Sequence, residues 1–150
     1  MQLLRAAIAG DLGDWAAAQE ELGKLDVESA SEQASTLRWR LAEVQYGLGH
    51  LDAALKAVDE AIAKAVDVRS HADELQARLL KVRILAAMKR EREARAELAV
   101  VKQGLVRYAS VPLRLRLAET SLLLGGAQAT ADYREARILL ARLPAYGHAF

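Results

Sequence analysis

The 150-residue sequence has no cysteine, which excludes disulfides and thiolate metal sites and permits a reducing compartment. Only two prolines occur, Pro112 and Pro144, and aromatics make up 5% of the chain. Neither charge sign dominates: 21 basic and 20 acidic residues give a formal net charge of +1, with the two signs interspersed. Such a balance disfavours a nucleic-acid partner. No apolar run approaches the length that crosses a bilayer, so no membrane partner is expected. The opening "MQLLRAAIAGDLGDW" carries Arg5, but Asp11 and Asp14 break its apolar stretch, so it does not read as a secretory signal. A cytoplasmic location is expected.

About a fifth of the residues are alanine and about a sixth leucine, a mixture that favours helices and their close approach. The length fits one domain over residues 1–150, large enough to bury roughly two-thirds of its unfolded surface. Leu37, Leu41, Val44 and Leu48 recur at the spacing of an amphipathic helix. Gly49 interrupts, and a second stripe begins with Leu51, Ala54, Leu55, Val58, Ala61 and Ile62. Glycine suits the turn because it takes up the left-handed conformation that ends helices.

The same unit is written four times. "RLAEVQYGLG" from Arg40 shares Arg, Leu, Ala, Glu and the final Leu-Gly with "RLAETSLLLG" from Arg116. Near the start, Leu12-Gly13, Trp15 and Ala18 stand where Leu48-Gly49, Leu51 and Ala54 stand. A third copy aligns Ala94 with Ala54 but has Lys89 at the turn. The turn positions 13, 49, 89 and 125 are 36, 40 and 36 residues apart, the period of an array of helical pairs. Ser29 with Glu32, and Ser70 with Asp73, have the spacing of capping boxes. Ser110 precedes Pro112, which the first turn of a helix tolerates. Eight helices are expected, at 2–12, 14–26, 31–48, 51–66, 71–88, 91–107, 111–124 and 131–142, the last capped by Thr130 or Asp132 after a longer turn.

The chain resembles the tetratricopeptide repeat family. Leu41, Ala42, Gly49, Leu51, Ala54 and Ala61 match its pattern, as do Ala6, Gly13, Trp15 and Ala18, and Leu117, Ala118, Gly125, Tyr133 and Ala136. Arg38 occupies the slot of the family's early tryptophan, with Trp39 beside it, and the inner copies lack the closing proline. The resemblance implies an all-α, right-handed α-solenoid of four hairpins, with repeats at 1–27, 31–66, 71–107 and 111–143 and a tail at 144–150. Its spacing is similar to that of arrays in bacterial signalling and regulatory proteins.

A catalytic centre needs a nucleophile, an acid–base pair or a metal cluster in one pocket. None is legible: His50, His71 and His148 are scattered over a turn, a helix start and the tail, and HExxH, phosphate-loop and GxSxG patterns are absent. No enzyme activity and no cofactor is expected. Trp39, Glu43 and Tyr46 share a helix face separate from the leucine stripe. They serve either as partner anchors or as filler between helices. The resemblance implies that the first helix of each pair lines a concave groove, which places Trp39, Glu43, Tyr46, Leu79, Arg83, Leu115, Glu119 and Leu122 there. Glu43, Arg83 and Glu119 would alternatively pair with one another across successive helices. The basic residues Arg78, Lys81, Arg83, Lys89, Arg90, Arg92 and Arg95 interleave with Glu91, Glu93 and Glu97, as in a solvated, salt-bridged face.

The expected function is therefore protein–protein interaction, as an adaptor or scaffold for a protein or peptide partner. Two alternatives stay open. One is a homodimer formed through apolar ends, with Leu4, Ile8, Ile138, Leu139, Tyr146 and Phe150 as candidates. The other is a small-ligand sensor domain of a transcriptional regulator.

Overall fold

The computed structural model describes residues 2–24, 34–108, 110–125 and 127–142, without the side chains of Gln2, Leu3, Leu4, Ala7, Ala127 and Gln128. These residues form eight helices and no strand. They are α1 (Gln2–Asp11), α2 (Trp15–Gly23), α3 (Ala34–Gly47), α4 (Leu51–Asp67), α5 (His71–Ala87), α6 (Glu91–Arg107), α7 (Val111–Leu124) and α8 (Ala127–Ala141). The Ser29–Glu32 pair, Leu143 and the tail with Tyr146, His148 and Phe150 lie outside the described residues.

One turn geometry recurs. Gly13 and Gly49 have φ of 76° and 81°, and Lys89 takes the same left-handed position at 63°; Gly125 also has positive φ (76°) but is extended at ψ 178°. At the first turn the Gly13 amide donates to the Gly10 carbonyl (3.0 Å) and the Asp14 amide to Ala9 (2.8 Å), the paired bonds of a Schellman motif. Gly49 and His50 repeat it onto Tyr46 and Gln45, and Lys89 and Arg90 onto Ala86 and Leu85. A fourth example, unforeseen in the sequence, joins α4 to α5: Arg69 has φ 55°, and it and Ser70 donate to Val66 and Ala65. The next helix then starts at once, capped by Asp14 on the Ala17 amide (3.1 Å), Ser70 on Asp73 (3.4 Å) or Ser110 on Leu113 (3.3 Å).

The last helix departs from expectation. It begins at Ala127, so Thr130 and Asp132 lie inside it rather than at its cap. Gly125 already ends α7, and the alanine-rich Ala127–Ala131 stretch continues helically without needing a side-chain cap.

Consecutive helices pack as α1–α2, α3–α4, α5–α6 and α7–α8, and α4 packs on α5 just as extensively. Between pairs, α1 touches α3, α3 touches α5 and α5 touches α7, whereas among the described residues no even-numbered helix touches another. The odd-numbered helices therefore form one contacting row. The core is correspondingly segmented. Ala6, Ala18, Leu22, Leu37 and Val44 join the first pair to α3; Trp39, Ala42, Ala54, Val58, Ala77 and Ile84 join α3 and α4 to α5; Leu79, Val82, Ala94, Val101 and Leu113 join α5 and α6 to α7. Both amphipathic stripes of the second unit are in these clusters.

Gly47 permits the closest approach. A Cβ there would lie 2.1–2.5 Å from Cδ2, Cε2 and Cγ of Trp15, so the whole indole would have to leave α3.

Two substitutions test this account. Lys89→Gly removes left-handed strain and is expected to stabilise the chain by about 0.5–1 kcal/mol, raising Tm by about 2–4 °C. Gly47→Ala, despite alanine's better helix propensity, is expected to cost about 1–3 kcal/mol by overpacking against Trp15. Thermal and urea unfolding read both.

Candidate binding groove

Register on the turns decides what the row of odd-numbered helices presents. Glu43, Arg83 and Glu119 each stand six residues before a left-handed turn residue. All three line one cavity of about 470 Å³, together with Leu115 and Arg116 of α7, Gly10 and Asp11 of α1, and Trp15, Pro112 and Leu140. A smaller void of about 20 Å³ shares Glu43, Arg83 and Arg116 with it and adds Trp39, Gln76, Leu79, Leu80 and Thr120.

Trp39, Leu79 and Leu115 occupy the position four residues earlier, and of the two readings of Trp39 the burial here matches the one that fills space between helices. Trp39 is 5% and Leu79 3% exposed, so both are core residues rather than anchors for a partner. The cause is the stacking: α5 covers this position on α3, and α7 covers it on α5, while no odd-numbered helix beyond α7 covers Leu115 among the described residues. Leu115 alone of the three stays half-buried. Tyr46 packs against the cluster around Trp39, and Leu122 is exposed; neither lines either cavity.

Trp39 is held by a polar hub. Its Nε1 donates to Oδ1 of Asp73 (3.1 Å), whose carboxylate also accepts from Ser35, from Thr36 (3.0 and 3.1 Å) and from Ser70 (3.1 Å). Ser35 is buried, and Arg40 stacks over the Trp39 ring at 4.2 Å from its centroid. The second capping box thus does more than start α5, because the same carboxylate ties three side chains of α3 to it. The sequence signalled the capping; the link across 34 to 38 residues had no local signal.

The groove's charges also differ from expectation. Glu43 accepts from Arg40 of its own helix (2.9 Å), and Arg83 Nε donates to buried Thr120 (3.3 Å), so Glu43, Arg83 and Glu119 do not form an ion-paired ladder. Arg116, which sequence reasoning passed over, donates to Gln76 (3.4 Å). Sitting beside Leu115 on α7, it was visible only to a wider register window.

The basic residues of α5 and α6 are mostly engaged. Arg78 bridges Glu97 (2.8 Å) and Glu74 (3.3 Å), Lys81 meets Asp59 (2.7 Å), Arg90 meets Glu93 and Arg95 meets Glu91. Burial works against the Arg78 charge, but Glu97 and Glu74 outweigh it and hold the guanidinium above its ordinary range. This is the salt-bridged face expected. His50 and His71 are exposed, and no group of three metal-ligating side chains is found among the described residues. No described helix is long and apolar enough to cross a membrane.

Comparison with protein-family models, curated proteins and solved structures gives no match to this chain.

Trp39→Phe keeps an aromatic ring but deletes the pyrrole ring with its donor to a carboxylate, with an expected cost of about 2–4 kcal/mol in urea unfolding from the lost hydrogen bond and the space left behind. Asp73→Ala is expected to cost more, since it strands several donors at once. Equal stability of wild type and both variants would show that the hub contributes nothing.

Proposed function

We propose that the chain is a non-catalytic protein-interaction module, a right-handed solenoid of four tetratricopeptide-like hairpins. In this reading it works in the cytoplasm as an adaptor or scaffold in a regulatory or signalling assembly. Its inner row holds a peptide, a helix or a partner domain. The supporting observation is the contact of odd-numbered helices with one another, beside a groove to which successive units contribute Glu43, Arg83 and Glu119 from corresponding positions. Recognition then depends on a rigid surface carrying half-buried apolar and charged groups, with no bond made or broken. Pre-formed shape limits the entropy lost on binding.

A second reading is favoured by one observation, the exposure of large apolar groups on the end helices. Ile8 is 51% and Leu12 79% exposed on α1, and Ile138 is 53% exposed on α8. These would join two copies end to end. Leu139 instead lines a cavity of about 240 Å³ between α6, α7 and α8. Leu4, Tyr146 and Phe150 belong to this proposal by sequence only.

The groove reading is tested by selecting binders from a displayed random-peptide library and measuring them against Leu115→Lys/Glu119→Lys. Affinity is expected to fall at least about tenfold, or ~1.4 kcal/mol, with an unchanged melting curve. Binders indifferent to the double variant would contradict the reading. Sedimentation tests the alternative: a dimer dissociated by Ile138→Glu supports it, and a monomer at every concentration rejects it.

A further inference from the structure

The cavity of about 240 Å³ beside α7 is a cleft between two helices that do not touch each other. Lys102 of α6 lines one wall, Asp132 and Glu135 of α8 line the other, and Arg114, Leu117 and Ala118 of α7 lie between them. These α7 residues recur at i, i+3 and i+4, a different face of the helix from Leu115 and Glu119 of the groove. The preceding unit shows how such positions are closed. On α5, Arg78 bridges Glu97 of α6 and Glu74, and Lys81 meets Asp59 of α4. Counted back from Lys89 and Gly125, Arg114 stands in the place of Arg78, Ser110 in that of Glu74 and Leu117 in that of Lys81. Those exchanges remove the pairing. Among the described residues, none of Lys102, Arg114 and Glu135 makes an ion pair. All three stand exposed at the rim, over the apolar side chains of Leu117, Ala136 and Leu139.

We propose that this cleft binds a small aliphatic zwitterion, its carboxylate met by Arg114 and Lys102, its ammonium by Glu135, and its hydrocarbon part by Leu117, Ala136 and Leu139. The site does not depend on the groove reading. Two bases and two acids line the cavity, so a ligand of one charge meets a like charge as well as an opposite one. A zwitterion answers both signs at once. The planar guanidinium of Arg114 offers a carboxylate two parallel donors. The volume of about 240 Å³ lies below the ~300–1,000 Å³ of drug-sized sites and suits a ligand of amino-acid size. Among the described residues α8 touches no helix but α7. A ligand held by both walls therefore ties the fourth pair to the third, a link that a stack of nearest-neighbour units otherwise lacks there.

The test follows backbone amide signals by NMR during separate titrations with L-leucine and ε-aminocaproate. The two charges are adjacent in leucine and separated by the chain in ε-aminocaproate, so the better binder reports the spacing the cleft accepts. Hexanoate and hexylammonium, with a chain of the same length and one charge each, serve as references at equal ionic strength. Saturable shifts centred on Lys102, Arg114 and Glu135 are expected with at least one zwitterion, at an affinity at least about tenfold above either reference. Glu135→Gln is expected to weaken that zwitterion about tenfold and to leave hexanoate unchanged. Arg114→Gln is expected to weaken it by a similar factor and to leave hexylammonium unchanged. Both residues are exposed, and circular dichroism confirms that the variants fold. Linear shifts with both zwitterions, equal affinity for zwitterion and references, or indifference to either substitution overturns the proposal.

Discussion

Everything in this molecule follows from a chain reversal completed within three residues. A left-handed residue ends one helix, its amide and the next close back on the preceding turn, and the following helix begins immediately. Because the reversal has the same geometry at Gly13, Gly49 and Lys89, each pair leaves its turn in the same relation. Residues at equal distances before those turns are therefore in corresponding places, as with Glu43 and Arg83, which line one cavity despite their sequence separation; Glu119, six residues before Gly125, lines it too. Lysine at φ 63° shows that the conformation is imposed by the array and does not depend on glycine alone.

The second constraint is burial on two sides. An inner helix with a neighbour before and after it has almost no free face. Leu37 and Val44 of α3 face the first pair, while Trp39 and Ala42 face α4 and α5. Burying an indole there leaves its N–H needing an acceptor, and Asp73 supplies one. The carboxylate in turn needs donors, and Ser35, Thr36 and Ser70 provide them. Packing and polar satisfaction thus fasten the two central pairs together at one point. Little of the odd-numbered helices stays uncovered: Glu43, Arg83 and Glu119, six residues before the turns at Gly49, Lys89 and Gly125, plus Leu115 where the stack runs out of odd-numbered neighbours.

The features written locally were legible in the sequence. The turns at Gly13, Gly49, Lys89 and Gly125 are readable from spacing, as are the Ser70 and Ser110 caps and the alternating charges of α6; the left-handed turn at Arg69 had no such signal. Features decided by tertiary neighbours were not. For Trp39 the sequence left anchor and filler both open, because its face differs from the leucine stripe; the arrival of α5 makes that face interior. Thr130 and Asp132 are good caps in isolation, yet α8 starts earlier because Gly125 ends α7 and the alanines that follow propagate the helix. The tetratricopeptide likeness rests on these turn and small-residue positions, and the helical pairing is what it implies; handedness and partner belong to the proposal.

The absence of cysteine offers a direct test of the central claim, that α3, α5 and α7 turn corresponding faces into one groove. A nitroxide attached at Glu119→Cys is the sole label in the chain. Its relaxation effect is expected to broaden the amide signals of Arg83 most and Glu43 less, leaving Lys56 and Glu60 on exposed positions of α4 sharp. Broadening of the α4 amides with Arg83 and Glu43 untouched would place Glu119 on the other side of the stack and contradict the account.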